Sequence, residues 1–249
     1  MTGRRVVLTV LGGVVVAVCV ALGLWQLQRL SDRRALNDRL IAREALPVAD
    51  VATLTPLDGG RGGPAAYRRV RTTGVYDPAN EVVLRARSLN GRAGNHLLTP
   101  LTLAGGDAII VDRGWIPLTI DRPGAAQTAP PAGEVTVTGI LVPTEPKPIV
   151  FGPRDPPAGR LTTIGRIDLE RLAQQMPYAI EPLAIAMEQQ RPAQTDLPHP
   201  AGRPPPGEGP HLAYAVQWFI FAAIALITTT LLMRRERAAG SARVESERG

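Results

Sequence analysis

The sequence predicts a membrane protein. Two transmembrane helices near the termini flank a β-rich extracytoplasmic domain, α+β in class and either barrel-like or an open antiparallel sheet. Three observations carry this expectation. Two long apolar stretches stand near the ends of the 249-residue chain. The segment between them alternates apolar and polar residues in short runs bounded by Gly, Pro, Asn and Asp. Arginines gather at the outer ends of both apolar stretches.

Residues 6–25, VVLTVLGGVVVAVCVALGLW, are 20 residues without a charge, and Thr9 is their only hydroxyl. Residues 211–233 are 23 residues without Lys, Arg, Asp or Glu. A bilayer core of ~30 Å takes roughly 20 residues at ~1.5 Å rise each. Lipid offers no partner for a backbone amide, so both stretches are expected as helices. A cleavable signal peptide is the rival reading of the first, with Arg4 and Arg5 as its basic end and Ala21-Leu22-Gly23 as a small-residue cut site. The apolar run is long for that role, and the amphipathic pattern continues past the cut, which favours an anchor.

Arg4 and Arg5 precede the first stretch, and Arg234, Arg235 and Arg237 follow the second. Basic residues beside spans stay in the cytoplasm. The expected order is a cytoplasmic N-terminus at 1–5, a span at 6–25 and an outer domain at 26–195. A tether at 196–210, a span at 211–233 and a cytoplasmic tail at 234–249 follow. Arg29, Arg33 and Arg34 oppose this orientation; Arg203, the only basic residue just before the second span, supports it. The cytoplasmic ends hold seven Arg and three Glu, hence four of the six net positive charges. The charge is therefore mostly an orientation signal, and no nucleic-acid partner is expected. The one cysteine, Cys19, lies inside the first span, so the outer domain has no disulfide and no covalent c-type haem attachment.

Strands are expected at 67–76, 81–89, 96–103, 107–116 and 134–142. The third and fourth form a hairpin about Gly105-Gly106. Pro100, inside a strand pattern, implies an edge or a bulge. Asp168 is a candidate N-cap for LERLAQQM, which Pro177 stops. Residues 26–43 extend the first span with Leu27, Leu30, Leu36 and Leu40 near helical spacing. Residues 117–133 and 143–158 read as loops. The tether 196–210 holds six prolines and reads as semi-rigid.

Chemistry-bearing motifs are few. Gly-rich phosphate loops and G-x-S-x-G are absent, and His96, His199 and His211 lack zinc-ligand spacing. Asp107, Asp112 and Asp121 read as solvated or ion-paired carboxylates. Arg113 and Trp115, in DRGW, mark either a binding surface or the core, and the core is favoured for the indole.

HLAYAVQWF, residues 211–219, opens the second span with polar groups. At ~100° per residue, Tyr214 lies ~60° and Trp218 ~20° from His211, with Gln217 on the flank. An interfacial aromatic belt explains Tyr214 and Trp218. It explains His211 and Gln217 less well, since an ionisable residue at a span is a candidate site. A neutral imidazole there can ligate haem iron. Gln26 and Arg29 close the first span at the same level, and Arg29 either pairs a propionate or snorkels to head groups.

GLWQLQR (23–29), YRRVRTTGVYD (67–77), GNHLLTPL and DAIIVDRGWIP (94–117) and HLAYAVQWF occur in an order that resembles the surfeit locus protein 1 family across nearly the whole chain. The resemblance implies a non-enzymatic assembly factor for haem-copper cytochrome c oxidase that binds haem a and assists its insertion into the catalytic subunit. It implies His211 as haem-iron ligand, Tyr214, Gln217 and Trp218 as walls of the site, and Gln26 and Arg29 as polar partners. It implies the oxidase catalytic subunit and haem a biosynthesis proteins as partners. The location implied is the plasma membrane, or the inner mitochondrial membrane in a eukaryote. Two departures stand out: Gly209-Pro210 replace the basic residue usual before the histidine, and TTIGRIDLERLA lacks a common Trp. A cofactor-free scaffold for oxidase subunits is the main alternative. A membrane-tethered hydrolase has no nameable nucleophile and base.

Overall fold

A computed structural model describes residues 2–54, 57, 63–147, 155–194, 196–202 and 207–246. Arg203 and the rest of 203–206 in the tether, and residues 148–154 of the second expected loop, lie outside the described residues. The chain divides into two compact units, residues 1–39 with 206–249, and residues 40–205.

The first unit is helical. Helix α1 runs Thr2–Glu44 and helix α3 runs His211–Ser246. No proline interrupts α1. Pro47 follows its end and disfavours a helical conformation in the residue before it. Pro210 stands immediately before α3, and its carbonyl accepts the first helical bond, from the Tyr214 amide at 3.1 Å. Both helices contain an 18-residue window apolar enough to cross a membrane, with mean hydropathy 2.7 and 2.0. Val7, Val10, Leu11, Ile220, Leu226 and Ile227 are all more than half exposed. That much contiguous apolar surface calls for a non-aqueous neighbour.

The second unit is β-rich and barrel-like. Its strands are β1 (Ala49–Asp50), β2 (Arg69–Tyr76), β3 (Val82–Leu89), β4 (Arg92–Thr102) and β5 (Ala108–Pro117). They continue with β6 (Glu134–Val142), β7 (Thr163–Ile164) and β8 (Ala184–Arg191). The sheet order is β1-β2-β6-β8-β5-β4-β3-β7, and an extra β2–β4 pairing joins two inner strands. That pairing closes β2, β6, β8, β5 and β4 into a ring. All five ring strands contribute to one core, which contains Val70, Leu101, Val111, Val137, Ile185 and Met187. Alternate residues of β4 and β5 instead face a second core, built with Leu161, Ile164 and Leu172. β5 is therefore buried from Ala108 to Ile116.

The five expected strands are all present, the last with the expected bounds. The β4–β5 hairpin turns at Gly105-Gly106, with the Leu103 amide bonded to Asp107 O at 2.8 Å. Pro100 sits neither at an edge nor in the bulge, which lies between Leu97 and Leu98. β4 leaves β3 after Leu98 and meets β2 from Leu101, so the missing N–H falls in the gap between partners. The Pro100 carbonyl accepts from the Asp77 amide at 2.9 Å there.

Asp168 caps helix α2, Leu169–Ala173, by accepting from the Arg171 amide at 3.1 Å. The helix ends before Gln174, short of the expected Met176. Gln175 explains the stop: its side chain brackets the Leu161 backbone, accepting at 2.9 Å and donating at 3.1 Å. Strand β8 was not expected from the sequence. Its inward side runs Ile185, Met187 and then Gln190, because the bulge in the β6–β8 pairing between Thr138 and Gly139 shifts the alternation by one residue. The Tyr76 hydroxyl donates to Gln190 Oε1 at 2.9 Å and satisfies it inside the barrel.

Trp115 packs in the core as expected, 4% exposed and stacked on His199 with 6.2 Å between centroids. His199, in the Pro-rich stretch, pairs with Trp115 as a strand would, through backbone bonds of 2.8 and 2.9 Å. Gly114, within β5 and against this segment, has φ +118, and a Cβ there would strike the His199 carbonyl. Arg113 is fully buried: it donates to Glu81 at 3.0 Å and to Gln194, and it lies 5.3 Å over the Tyr76 ring. Burial pushes its guanidinium below its ordinary value, and Glu81 opposes that shift.

Candidate functional site

Small residues set the spacing of the two long helices. A side chain at Gly12 would collide with Thr229, and one at Gly23 would stand 2.8 Å from the Phe219 ring. Cys19 and Leu30 on α1, and Ala215 and Ala222 on α3, are buried along the same seam. At ~100° per residue, positions 12, 19, 23, 26, 30, 33 and 37 fall within an arc of ~80° on α1. Gln26, Arg33 and Asn37 therefore point toward the chain entering α3.

His211, the first residue of α3, lies on that seam. Its Nδ1 is 2.9 Å from Gln26 Oε1. The amide oxygen is an acceptor, so Nδ1 carries the proton, and Nε2 keeps its lone pair. The Nε2 side of the ring faces Gly209, where an added Cβ would stand 3.5 Å from that nitrogen. The approach to α3 is held from α1. Arg34 forks onto Glu208 through bonds of 2.8 and 2.9 Å. Arg33 Nε and Asn37 Nδ2 each donate to Gly207 O at 3.3 Å. The hydrogen bond from Arg34 holds the Glu208 carboxyl below its ordinary range. Basic groups thus come from α1, where the sequence just before His211 has Gly209-Pro210.

The structure brings His211 and Gln26 together and sets the other expected residues around them. Arg29 is exposed and lies 5.8 Å over the Trp25 ring. Gln26 and Arg29 are three residues apart, so Arg29 is turned ~60° off the seam. Tyr214 is 47% exposed and Gln217 is exposed as well. Trp218 packs edge-on against Phe221, 5.8 Å between centroids. In the sequence Arg33 and Arg34 read only as orientation signals and Gly209 only as a departure from the family pattern, and neither Asn37 nor Glu208 was singled out. The helical spacing from Gln26 could have found Arg33 and Asn37. Nothing in the sequence marks the Arg34–Glu208 pair.

The model of the SURF1 family matches residues 13–223, from Gly13 of α1 to Ala223 of α3. The chain belongs to the SURF1 family. An uncharacterized SURF1-like protein of Mycobacterium tuberculosis is 27% identical over 209 residues, covering 82% of this chain and 73% of that protein. A SURF1-like protein of Rickettsia felis is 25% identical over 231 residues, covering 88% and 92%. Surfeit locus protein 1 of Takifugu rubripes is 29% identical over 154 residues, covering 54% and 61%. The SURF1 family is generally linked to cytochrome oxidase assembly. Two candidate membrane helices and this family membership together suggest a membrane location.

Proposed function

We propose that this SURF1-family chain is a membrane-anchored assembly factor that binds haem a and passes it to the catalytic subunit of a haem-copper cytochrome c oxidase. It transforms no substrate. The observation that carries the reading is the Gln26–His211 hydrogen bond. A histidine that ligates a metal usually donates its other ring proton to a fixed acceptor, which sets the tautomer and the ring orientation. Gln26 does this for His211. A single imidazole nitrogen, with no metal-holding cluster of His, Cys, Asp or Glu among the described residues, would suit a haem iron better than a closed metal site. His211 would hold the haem there through its iron, and the group would supply redox-active iron for transfer to the oxidase.

His211 holds the iron in this reading, and Gln26 positions His211. Trp218 and Tyr214 cover the ring, and Arg29 leaves Trp25 to pair a propionate. Gln217 lines the flank. Both termini lie in the cytoplasm, the β-rich unit lies outside the plasma membrane, and the partners are the oxidase catalytic subunit and the proteins that make haem a. A cofactor-free scaffold is the second reading. The exposure of Tyr214 and Gln217 favours it, because both side chains are available to another subunit.

The test is purification from cells that make haem a. Wild type carries a Soret band. His211→Ala inserts at the same level and loses most of that absorbance per protein, and Gln26→Leu loses part of it. Equal absorbance in wild type and His211→Ala removes the ligand assignment and leaves the scaffold.

A further inference from the structure

His96 and Asp112 form a second histidine site, far in sequence from the one above and wholly inside the β-rich unit. His96 on β4 is 7% exposed and Asp112 on β5 is 7% exposed. The His96 Nδ1 is 2.9 Å from Asp112 Oδ2. The other carboxylate oxygen accepts from the Gly114 amide at 3.1 Å. A carboxylate can only accept, so Nδ1 carries the proton. The carboxylate is held by the Gly114 amide and in turn holds the ring, and in the neutral imidazole Nε2 presents a lone pair. That nitrogen is buried and has no hydrogen-bond partner among the described residues. An unmet buried polar atom costs ~1–3 kcal/mol and calls for a reason.

The two side chains form part of the wall of a cleft of about 290 Å³. Val142, Ile167 and Ala186 supply apolar surface, and Arg87 and Glu145 stand in the lining as an ion pair, 2.7 Å apart. By formal charge, with histidine counted as neutral, Arg87, Glu145 and Asp112 leave the lining one net negative charge, which disfavours anions. Tyr67, also in the lining, holds a left-handed backbone at φ +65. A non-glycine residue is rarely found there, and such strain gathers at ligand sites. The volume suits a small ring. The planar Arg87 guanidinium, held by Glu145, offers a face for stacking an aromatic.

We propose that this cleft binds a neutral hydroxylated aromatic ring, a phenol, whose O–H donates to His96 Nε2 while its ring rests on Val142, Ile167 and Ala186. Asp112 is a positioning residue: it keeps the proton on Nδ1 and thereby makes Nε2 an acceptor. Access takes side-chain movement at the cleft wall, because the nitrogen is shielded from bulk water. The site is independent of the haem reading and survives its failure.

The experiment uses the full chain in detergent, labelled with ¹⁵N-histidine, and follows the His96 ring nitrogens by NMR. p-Cresol is titrated in, beside p-methylanisole, which has the ring without the donor. The Nε2 resonance moves with p-cresol and stays with p-methylanisole. His96→Phe weakens p-cresol binding by about tenfold, one hydrogen bond's worth. Asp112→Asn moves the proton to Nε2, so p-cresol weakens and the ether, now an acceptor for that proton, gains. Thermal unfolding checks that each variant is folded, and Asp112→Asn decides the matter if His96→Phe is not. N-acetyl-tyrosinamide separates the sources: binding assigns the cleft to a partner's tyrosine, and failure beside p-cresol binding assigns it to a free phenol. No response to p-cresol, or an equal response to p-methylanisole, overturns the proposal.

Discussion

The two units use opposite means to make residues meet. In the helical unit, contact depends on what is missing: Gly12 and Gly23 let the helices approach, and Ala215 and Ala222 keep the seam narrow. Lipid is as apolar as leucine, so burial gives such helices little reason to associate, and close packing with a few polar bonds must serve. In the β-rich unit, contact depends on what is filled. Large aliphatic side chains from five strands fill one interior, and some buried polar groups are tied into networks. Arg113, Glu81, Thr99 and Gln194 form one of these. The difference teaches that a polar residue means different things in the two places. At Gln26 and His211 it joins two helices; at Arg113 it is tied into a core that cannot lose it.

The comparison breaks most sharply at Gly114. Its φ of +118 excludes other residues, and a Cβ meets backbone, which cannot swing aside. Gly114→Val should cost more than ~4 kcal/mol and leave little folded protein. Normal yield with an unchanged melting transition would show that the His199 segment does not rest on β5. Arg113→Ala comes next, at about 3–5 kcal/mol, because it strands the Glu81 carboxylate in the core. Removing the charge at both ends, in Arg113→Met with Glu81→Leu, should recover much of that loss. Denaturant unfolding of the two variants measures the difference, and equal losses would mean that the charge pair is not what matters.

These two residues also show where sequence reading stops. Strands β2 to β6 were legible because apolar alternation and turn residues are local signals. Strand β8 was not, because Gln190 is buried by a partner, Tyr76, that stands over a hundred positions away. The site divides in the same manner. Gln26 and His211 were legible from their place at the ends of two apolar runs and from the resemblance. Their hydrogen bond was not, since it depends on how two helices pack. Arg29 was grouped with Gln26 because both follow Trp25 closely. Helical geometry turns it onto the Trp25 face instead. Asp112 was read as solvated or ion-paired, and only the bulged pairing of β4 with β5 brings His96 to it.

Gly23 probes the helical unit with a smaller change. Gly23→Leu pushes against the Phe219 ring, which can move, so the cost should be about 1–2 kcal/mol of helix association. The β-rich unit should melt as before. Gln26 lies one turn along the same face, so the variant should lose Soret absorbance per protein in the same direction as Gln26→Leu. Full absorbance with this leucine in place would mean that the seam does not set the position of His211.

The smallest effect contrasts two carboxylates, one in each unit. Asp77 is partly buried, which alone would raise its value. Asn80, Tyr178 and the Ala79 amide donate to it and bring it below the ordinary carboxylate range. A group depressed on folding stabilises above its unfolded value of about 3.9 and loses that contribution as pH falls through the lower folded value. Wild type should therefore lose stability between about pH 5 and pH 3 by a fraction of 1 kcal/mol more than Asp77→Asn does. Glu208 is also depressed, by the Arg34 hydrogen bond first and Arg34's charge after it, but it is open to solvent. Its pair is screened by salt, whereas bonds to Asp77 from neutral donors are not. Acid titration of the two carboxyls at low and high salt should move Glu208 toward its ordinary value and leave Asp77 where it was. If salt moves both alike, the hydrogen bonds to Asp77 are not what holds it down, and the contrast between a filled interior and an open seam fails at this pair.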